Sequence, residues 1–143
     1  MPIITGSITR EGATIDLLIE PVEANRKRAR PQFLTGPIPI RGVLDTGAAL
    51  TGISRRLLLA MGLEVIDTKP VRTPVGPTQI AACYKLRSAF VSGGTRYAFA
   101  EAVVIAADCF EEQEEHQALI GRDVLDHCTF QYWGTARKFQ FAY

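Results

Sequence analysis

Three features that would assign a sequence to a protein class at once are scarce or absent here: cysteines, long apolar runs and an excess of charge of one sign. It holds only three cysteines in 143 residues, an odd number in no compact spacing, so we expect no disulfide framework and favour a reducing compartment. It has no apolar run of about eighteen residues and no basic N-terminal segment leading a long apolar stretch. Sixteen basic and fifteen acidic side chains nearly cancel. These absences predict a cytoplasmic protein without a nucleic-acid or membrane partner.

Alternation of apolar and polar residues is the dominant pattern, and 47% of the residues are hydrophobic. This content can fill one core, so we predict a single domain over residues 1–143. Ile15, Leu17 and Ile19 recur with a period of two, which predicts a strand paired in a hairpin with residues 3–9. Further strands are predicted at residues 38–45, in two long hairpins between residues 63 and 107, and in a hairpin over residues 129–143.

Only two short helices are predicted beside these strands. Ser54 is suited to cap a helix over residues 55–61, and Gly62 is suited to end it. The second helix is predicted within residues 122–128. An inventory of many strands and two short helices indicates an all-β barrel or sandwich.

Two charged segments are predicted to be solvated loops. Residues 23–31 are too charged to pack and end in a proline. The basic residues 26–30 within that segment could instead form a nucleic-acid patch or a processing site, but no aromatic residue interleaves with them to stack on bases. Residues 108–117 form an acidic connection, and we interpret the acidic run at residues 111–115 within it as a solubilising loop.

The apolar strand at residues 38–45 ends in Asp45-Thr46-Gly47-Ala48. Hydrolysis of a peptide without a metal or a covalent intermediate needs one group that takes a proton from water and another that gives one to the carbonyl oxygen. Two carboxylates that share one proton do both, because like charges a few ångströms apart do not both ionise. Such a carboxylate needs a tight turn with small residues after it, where substrate backbone approaches closely. The alternative is an ordinary Asp-x-Gly turn between strands.

Two motifs, in this order, resemble those of the retropepsins, the retroviral-type aspartic proteases. The first is Val43-Leu44-Asp45-Thr46-Gly47-Ala48, and the second, far downstream, is Leu119-Ile120-Gly121-Arg122-Asp123-Val124-Leu125. The resemblance covers roughly residues 38–141, with a predicted flap hairpin between the motifs. It implies a small closed β-barrel of the acid-protease type, with one lobe per chain, and an aspartic endopeptidase that uses no metal or cofactor.

For the first motif, the resemblance implies the catalytic roles. Asp45 would be the catalytic acid and base, and Thr46 would hydrogen-bond across a two-fold axis. Gly47 and Ala48 would meet the main chain of the substrate. We therefore expect the catalytic turn to consist of these four residues.

The second motif would support the catalytic turn. Leu119, Ile120 and Gly121 would form a strand beside the turn, with Gly121 packed against it. Arg122 would be a structural ion-pairing residue, although the family's partner aspartate is replaced by Ala49 in this sequence. The partner of Arg122 therefore does not follow from the resemblance.

The predicted flap is centred on Val75, Gly76 and Pro77, which would contact the substrate. Pro74 and Pro77 stand where retroviral enzymes have a glycine-rich tip. Because proline fixes one backbone dihedral and removes a donor, these residues predict a stiffer flap with altered hydrogen bonding.

One Asp-Thr-Gly turn in a chain too short for two lobes implies a homodimer, with a polypeptide as the substrate. A two-fold axis through the site would supply the second Asp45. The resemblance implies that the termini, at residues 3–9 and 137–143, provide the interface strands. The competing interpretation is a non-catalytic dimerisation or peptide-binding module that keeps the retropepsin fold.

The remaining polar residues support weaker alternatives. Cys109, His116, His127 and Cys128 could be assembled into a zinc site, but their spacing matches no common ligand pattern. A nucleophile pair of His127 and Cys128 is disfavoured because adjacent residues point apart. The other aspartates are predicted to be surface or capping carboxylates: Asp16, Asp67, Asp108, Asp123 and Asp126.

Overall fold

A computed structural model of the chain describes residues 3–23, 33–34, 36–72, 76–97, 100–108 and 115–143. These residues form eleven strands and two short helices. In chain order the elements are β1 (Ile3–Thr9), β2 (Gly12–Pro21), β3 (Ile38–Leu44), β4 (Gly52–Ser54), α1 (Arg55–Ala60), β5 (Asp67–Val71), β6 (Gln79–Ser92), β7 (Thr95–Arg96), β8 (Ala100–Ala107), β9 (Ala118–Ile120), α2 (Arg122–Leu125), β10 (Thr129–Trp133) and β11 (Lys138–Ala142).

Six of the strands close into a barrel, which confirms the predicted fold class. Strand β2 pairs antiparallel with both β3 and β6. From β3 the circuit runs through a parallel pair with β9, an antiparallel pair of β9 with β4, a parallel pair of β4 with β8, and an antiparallel pair of β8 with β6. Each of these strands therefore has a paired neighbour on both sides, and the barrel has no edge strand.

Alternation along β2 shows why the barrel has a filled interior. Ala13, Ile15, Leu17 and Ile19 are buried, whereas Asp16 on the opposite face is exposed. Each large apolar side chain removed from water in this way contributes about 1.5–3 kcal/mol. The largest fully buried side chains come from elements all along the described chain: Phe139, Phe141, Ile19, Leu58, Met61, Leu63, Leu86 and Ile120.

Two groups of strands extend beyond the barrel. The end of β1 pairs with the start of β2, and the rest of β1 pairs with β11. Strand β11 in turn pairs with β10. On the other side, β5 pairs with the first part of β6, from Asp67 opposite Cys83 to Val71 opposite Gln79. The sheet therefore ends in β10 at one edge and in β5 at the other.

Both predicted helices exist, but the details differ from the sequence-based expectation. Ser54 occupies the position before α1, as predicted, but its side chain makes no cap hydrogen bond; it is also the last residue of β4 and is buried. Gly62 follows α1 with φ +69°, as expected for a residue that ends a helix. Helix α2 stops at Leu125, and the chain then turns, with the Cys128 N–H donating to the Leu125 carbonyl.

The predicted hairpins are also present where the structure describes them. Ser92 pairs with Thr95 across Gly93 and Gly94, whose φ angles of 56° and 78° suit glycine in a tight turn. The predicted loop residues 24–31 and most of the acidic connection, residues 109–114, lie outside the described residues. No helix among the described residues is long and apolar enough to cross a membrane.

Candidate active site

The turn that carries Asp45 begins where β3 leaves the barrel. The Asp45 N–H donates to the Ile120 carbonyl at 2.9 Å, which continues the parallel pairing of β3 with β9. The Ala48 N–H donates back to the Asp45 carbonyl at 3.2 Å and closes the turn. Asp45 is half-buried, whereas Thr46 and Gly47 are exposed. The carboxyl group therefore stands at the rim of the barrel on a backbone that is anchored to the core.

Gly47 orients the carboxyl group of Asp45. The Gly47 N–H donates to Asp45 Oδ1 at 2.8 Å. A hydrogen bond from a backbone amide to a carboxylate is charge-assisted and roughly twice as strong as a neutral one. A Cβ at position 47 would lie 3.1 Å from the same oxygen. The glycine therefore lets the amide approach the carboxylate without crowding it.

Gly121 lies directly against the turn. A Cβ at this position would meet the Leu50 carbonyl carbon at 2.6 Å, the Leu50 oxygen at 2.7 Å and the Ala48 oxygen at 3.0 Å. These neighbours are backbone atoms, which cannot rotate away as a flexible side chain could. The backbone after Ile120 can approach the turn this closely only because residue 121 has no side chain.

Arg122 holds the turn by contacts to main-chain carbonyls. Its Nη1 donates to the Thr46 carbonyl at 2.9 Å, and its N–H donates to the Ala48 carbonyl at 2.8 Å. The ion-pairing role that the resemblance implied is absent in the part of the chain that the structure describes, because Ala49 offers only its backbone carbonyl, which accepts from the Asp123 N–H at 3.2 Å. The guanidinium instead fixes the residue that follows Asp45.

Thr51 and Asp123 form a second support, which the sequence reasoning missed. The Thr51 N–H donates to Asp123 Oδ2 at 2.9 Å, and the Thr51 hydroxyl donates to Asp123 Oδ1 at 2.7 Å. The same hydroxyl accepts from the Gly121 N–H at 3.1 Å. Asp123 is half-buried and joins the end of the turn to α2, so it is neither a plain surface carboxylate nor a plain helix cap.

Thr51→Val tests this support, because valine keeps the shape of threonine and removes its hydroxyl. The change deletes one bond to a carboxylate and leaves the buried Gly121 N–H without an acceptor, so we expect a loss of about 2–4 kcal/mol in the free energy of unfolding. Denaturant unfolding measures this loss. Thr68→Val, at an exposed position in β5, is the matched control and should change stability by no more than about 0.5 kcal/mol. Equal effects of the two substitutions would show that the Thr51 hydroxyl does not stabilise the fold.

The predicted flap coincides with the hairpin of β5 and β6. Val75 lies outside the described residues, while Gly76 and Pro77 are exposed at the turn between the two strands. Gly76 has φ +104°, a conformation that favours glycine. Among the residues that the structure describes, no hydrogen bond joins Gly76 or Pro77 to the Asp45 turn. In this single chain, the described part of the flap therefore extends from the barrel without a hydrogen bond to the Asp45 turn.

The alternative nucleophile and metal residues do not assemble within the described chain. Cys109 lies outside the described residues, and His127 is exposed. The Cys128 Sγ donates to the Val124 carbonyl at 3.2 Å, and burial raises the pKa of this thiol, which lowers its thiolate fraction. No group of three or more His, Cys, Asp or Glu side chains in the described ranges could hold a metal ion.

A surface groove of about 430 Å³ lies away from Asp45. It is lined by residues near the start of β3 and by their neighbours in β2, including Pro39, Arg41 and Asp16. The groove contains none of the residues that either motif supplies, because the motifs meet at the opposite end of β3. The size of a cavity is therefore a poor guide to the site in one chain, and the anchored carboxylate is the better guide.

A comparison with known protein families matches the part of the chain that contains the candidate site. The family described as aspartyl protease matches residues 34–124, which include the Asp45 turn and the Gly121-Arg122-Asp123 segment that supports it. The chain belongs to the aspartyl protease family. A search of curated proteins found no match.

This aspartyl protease family member also shares its fold with a solved structure. A retropepsin-like aspartic protease from Rickettsia conorii superposes with a TM-score of 0.56 at 18% sequence identity, covering 99% of this chain and 91% of the other. At this identity the likeness concerns the fold, which is retropepsin-like. The likeness also extends to strands β1, β10 and β11, which lie beyond the region that the family matches.

Proposed function

We propose that this protein is an aspartic endopeptidase in which a water molecule is activated between the Asp45 carboxylates of two identical chains. The anchored turn is the observation that supports the proposal. Asp45 Oδ1 is fixed by the Gly47 N–H at 2.8 Å, and the turn itself is held by Ile120 and Arg122. A catalytic carboxyl group requires this preorganisation, because its geometry must be set before substrate binds.

In this proposal the second carboxylate comes from a second chain. Three other described aspartates already bind a hydroxyl or a cation of the same chain. Asp123 accepts a hydrogen bond from Thr51, Asp16 forms an ion pair with Arg41, and Asp108 forms an ion pair with Arg55. A two-fold axis beside Asp45 would bring the same carboxyl group from a partner, with the same orientation, because identical chains present identical turns. The two groups would then share one proton, since like charges at close range do not both ionise.

The shared proton assigns the chemical roles. The ionised Asp45 takes a proton from water as the water attacks the peptide carbonyl carbon, and the protonated Asp45 gives its proton to the carbonyl oxygen. Collapse of the tetrahedral intermediate then breaks the C–N bond and transfers a proton to the leaving amine. Neither step needs a metal or a covalent bond to the protein.

The substrate that fits this arrangement is an extended polypeptide. Gly47 is exposed and Ala48 is small, so a peptide main chain could approach the turn closely. The β5–β6 hairpin would cover the peptide from the other side, and Ile80 on that hairpin is 69% exposed. A strand lying between two backbone surfaces is bound mainly through main-chain hydrogen bonds, with side-chain pockets adding selectivity.

The shared site predicts that specific activity falls on dilution. Cleavage of a diverse peptide mixture, followed per milligram of protein over a wide dilution series, should lose rate in proportion to the fraction of unpaired chains, measured by sedimentation. Mixing with an equal amount of Asp45→Asn chains at fixed total protein should lower the activity per wild-type chain by about half, because exchange places wild-type chains in defective dimers. Asp126→Asn chains, altered at an exposed carboxylate, are the matched control and should not lower it.

Two outcomes would contradict this proposal. Constant specific activity in a preparation shown to be monomeric would place both catalytic groups in one chain. A dimer that cleaves none of the peptides under any condition would instead favour a non-catalytic module that keeps the fold.

A further inference from the structure

Arg122 has hydrogen-bond donors that the turn does not use. Its Nη1 donates to the Thr46 carbonyl at 2.9 Å, and its other guanidinium donors have no partner among the described residues. No ion pair joins it to Asp126, one helical turn later in the same described segment. The side chain is exposed, and the position where the resemblance expected its carboxylate partner is occupied by Ala49. Arg122 therefore presents a free carboxylate-binding group at the catalytic turn.

The Arg122 guanidinium lies close enough to Asp45 to contact a bound peptide. The carbonyl that it binds belongs to Thr46, the residue after Asp45, so the guanidinium lies within about 10 Å of the Asp45 Cα. An extended peptide advances by about 3.3 Å per residue. A substrate side chain about two or three residues from the cleaved bond is therefore within reach of this cation.

Arg10 provides a second cation on the other side of the turn. It lies in the hairpin turn between β1 and β2, and its side chain is exposed. Thr14 of β2 pairs with Val43 of β3, and continuing this register places Gly12 at the level of Asp45. Strand β3 lies between β2 and β9 in the sheet. Arg10 and the residues that follow β9 therefore lie at the same end of the barrel, on opposite sides of Asp45.

The carboxylates nearest to these two cations in the sequence are held by other groups. Asp123 accepts hydrogen bonds from the Thr51 N–H and hydroxyl. Glu11 accepts a hydrogen bond from the Thr9 hydroxyl at 3.0 Å. Within the described ranges, no carboxylate forms an ion pair with Arg10. The rim of the barrel around the catalytic turn therefore offers free positive charge to a substrate.

We propose that Arg10 and Arg122 are specificity-determining residues that select acidic polypeptides, each binding a glutamate or aspartate side chain near the cleaved bond. The inference rests on the proposed function, because it assigns a substrate class to the same site. Arginine binds a carboxylate through parallel N–H···O bonds, which add orientation as well as energy. The same cations repel basic side chains, so they also exclude competing substrates.

Paired peptides test this selection without requiring cleavage. Each pair is one extended peptide that carries either Glu or Gln at a single position, and the position is moved along the peptide from pair to pair. Asp45→Asn protein is titrated with the fluorescent peptides, and the ratio of the two dissociation constants is measured. At one or more positions the Glu peptide should bind about fivefold more tightly at low salt, as expected for a favourable exposed ion pair. The ratio should approach one at about 1 M salt, which screens the charges.

Substitution of each arginine assigns the preference to its residue. Arg122→Gln and Arg10→Gln, made in the Asp45→Asn chain, should each abolish the Glu preference at one position and leave binding of the Gln peptides unchanged. Glutamine at position 122 keeps an amide that can donate to the Thr46 carbonyl, so the turn retains a donor. Arg56→Gln is the matched control and should keep every preference. It alters an exposed arginine of α1, which follows β4 at the opposite end of the barrel.

The outcomes separate this inference from the proposed function. A salt-sensitive Glu preference that the two arginine substitutions remove and Arg56→Gln retains supports the inference, whether or not wild-type protein cleaves the peptides. Equal or absent binding of both members of every pair overturns it, as does a preference that survives both substitutions. Cleavage by wild-type protein with equal kcat/KM for Glu and Gln peptides would keep the proposed function and overturn only the selection of acidic substrates.

Discussion

Asp45→Asn is expected to reduce peptidase activity by about 10²-fold or more, since the loss of a general acid or base has at least this effect. The variant should keep its fold, because Asp45 is half-buried and its substitution removes no core volume. Asparagine also retains a carbonyl oxygen that can accept the Gly47 N–H, so the turn can keep its shape. The change therefore isolates the proton chemistry from the structure of the turn.

Initial rates on a peptide mixture, with circular dichroism and sedimentation on the same samples, measure this effect. Asp126→Asn, at an exposed carboxylate beyond α2, is the matched control and should retain near wild-type activity. A folded Asp45→Asn dimer that keeps even about a tenth of the wild-type kcat would contradict the assignment, because no general acid or base of this kind is so dispensable.

The strands could be predicted because they depend on local pattern. The period of two at Ile15, Leu17 and Ile19 places one face of β2 in the core, whatever its neighbours are. The closure of the barrel could not be predicted in this way. Strand β2 pairs with both β3 and β6, and the choice of these partners depends on contacts between residues far apart in the chain.

The residues of the candidate site also differ in whether the sequence alone could predict them. The Asp45 turn and Gly121 carry sequence signals, because they lie in the two motifs that resemble the retropepsins and stand in the same order. Thr51 carries none, and the place of Asp123 within the second motif does not indicate its contact with Thr51, because the two residues meet across 72 residues of chain. The contact of Arg122 with the Thr46 carbonyl also has no signature, because every residue offers a carbonyl.

Ser54 stands before α1 as predicted, but its side chain makes no cap hydrogen bond. Serine before an apolar segment usually caps a helix through its side-chain oxygen. In this fold Ser54 also ends β4, where it pairs with Ala107 of β8 and is buried. The sequence alone predicts the position of the residue before the helix, but not whether its side chain caps the helix.

Gly121→Ala should be the most damaging single-methyl substitution near the candidate site. The new Cβ would lie 2.6 Å from the Leu50 carbonyl carbon and 3.0 Å from the Ala48 oxygen, and both are backbone atoms. The turn or the segment after β9 must therefore move apart, and overpacking of this kind typically lowers the free energy of unfolding by about 1–3 kcal/mol. We expect the upper end of that range. Movement also weakens the bonds from Gly121 and Arg122 that hold the turn.

Activity should fall further than stability alone accounts for. A misplacement of about 1 Å in a catalytic group can reduce the rate about 10²-fold, so folded Gly121→Ala protein should be nearly inactive at temperatures where it remains native. Gly134→Ala is the matched control, because its Cβ would meet only Tyr132, at 3.5 Å, an ordinary contact. Denaturant unfolding and initial rates on both variants measure the two effects. Wild-type activity in folded Gly121→Ala would show that the close approach of Gly121 to Leu50 is not needed to position Asp45.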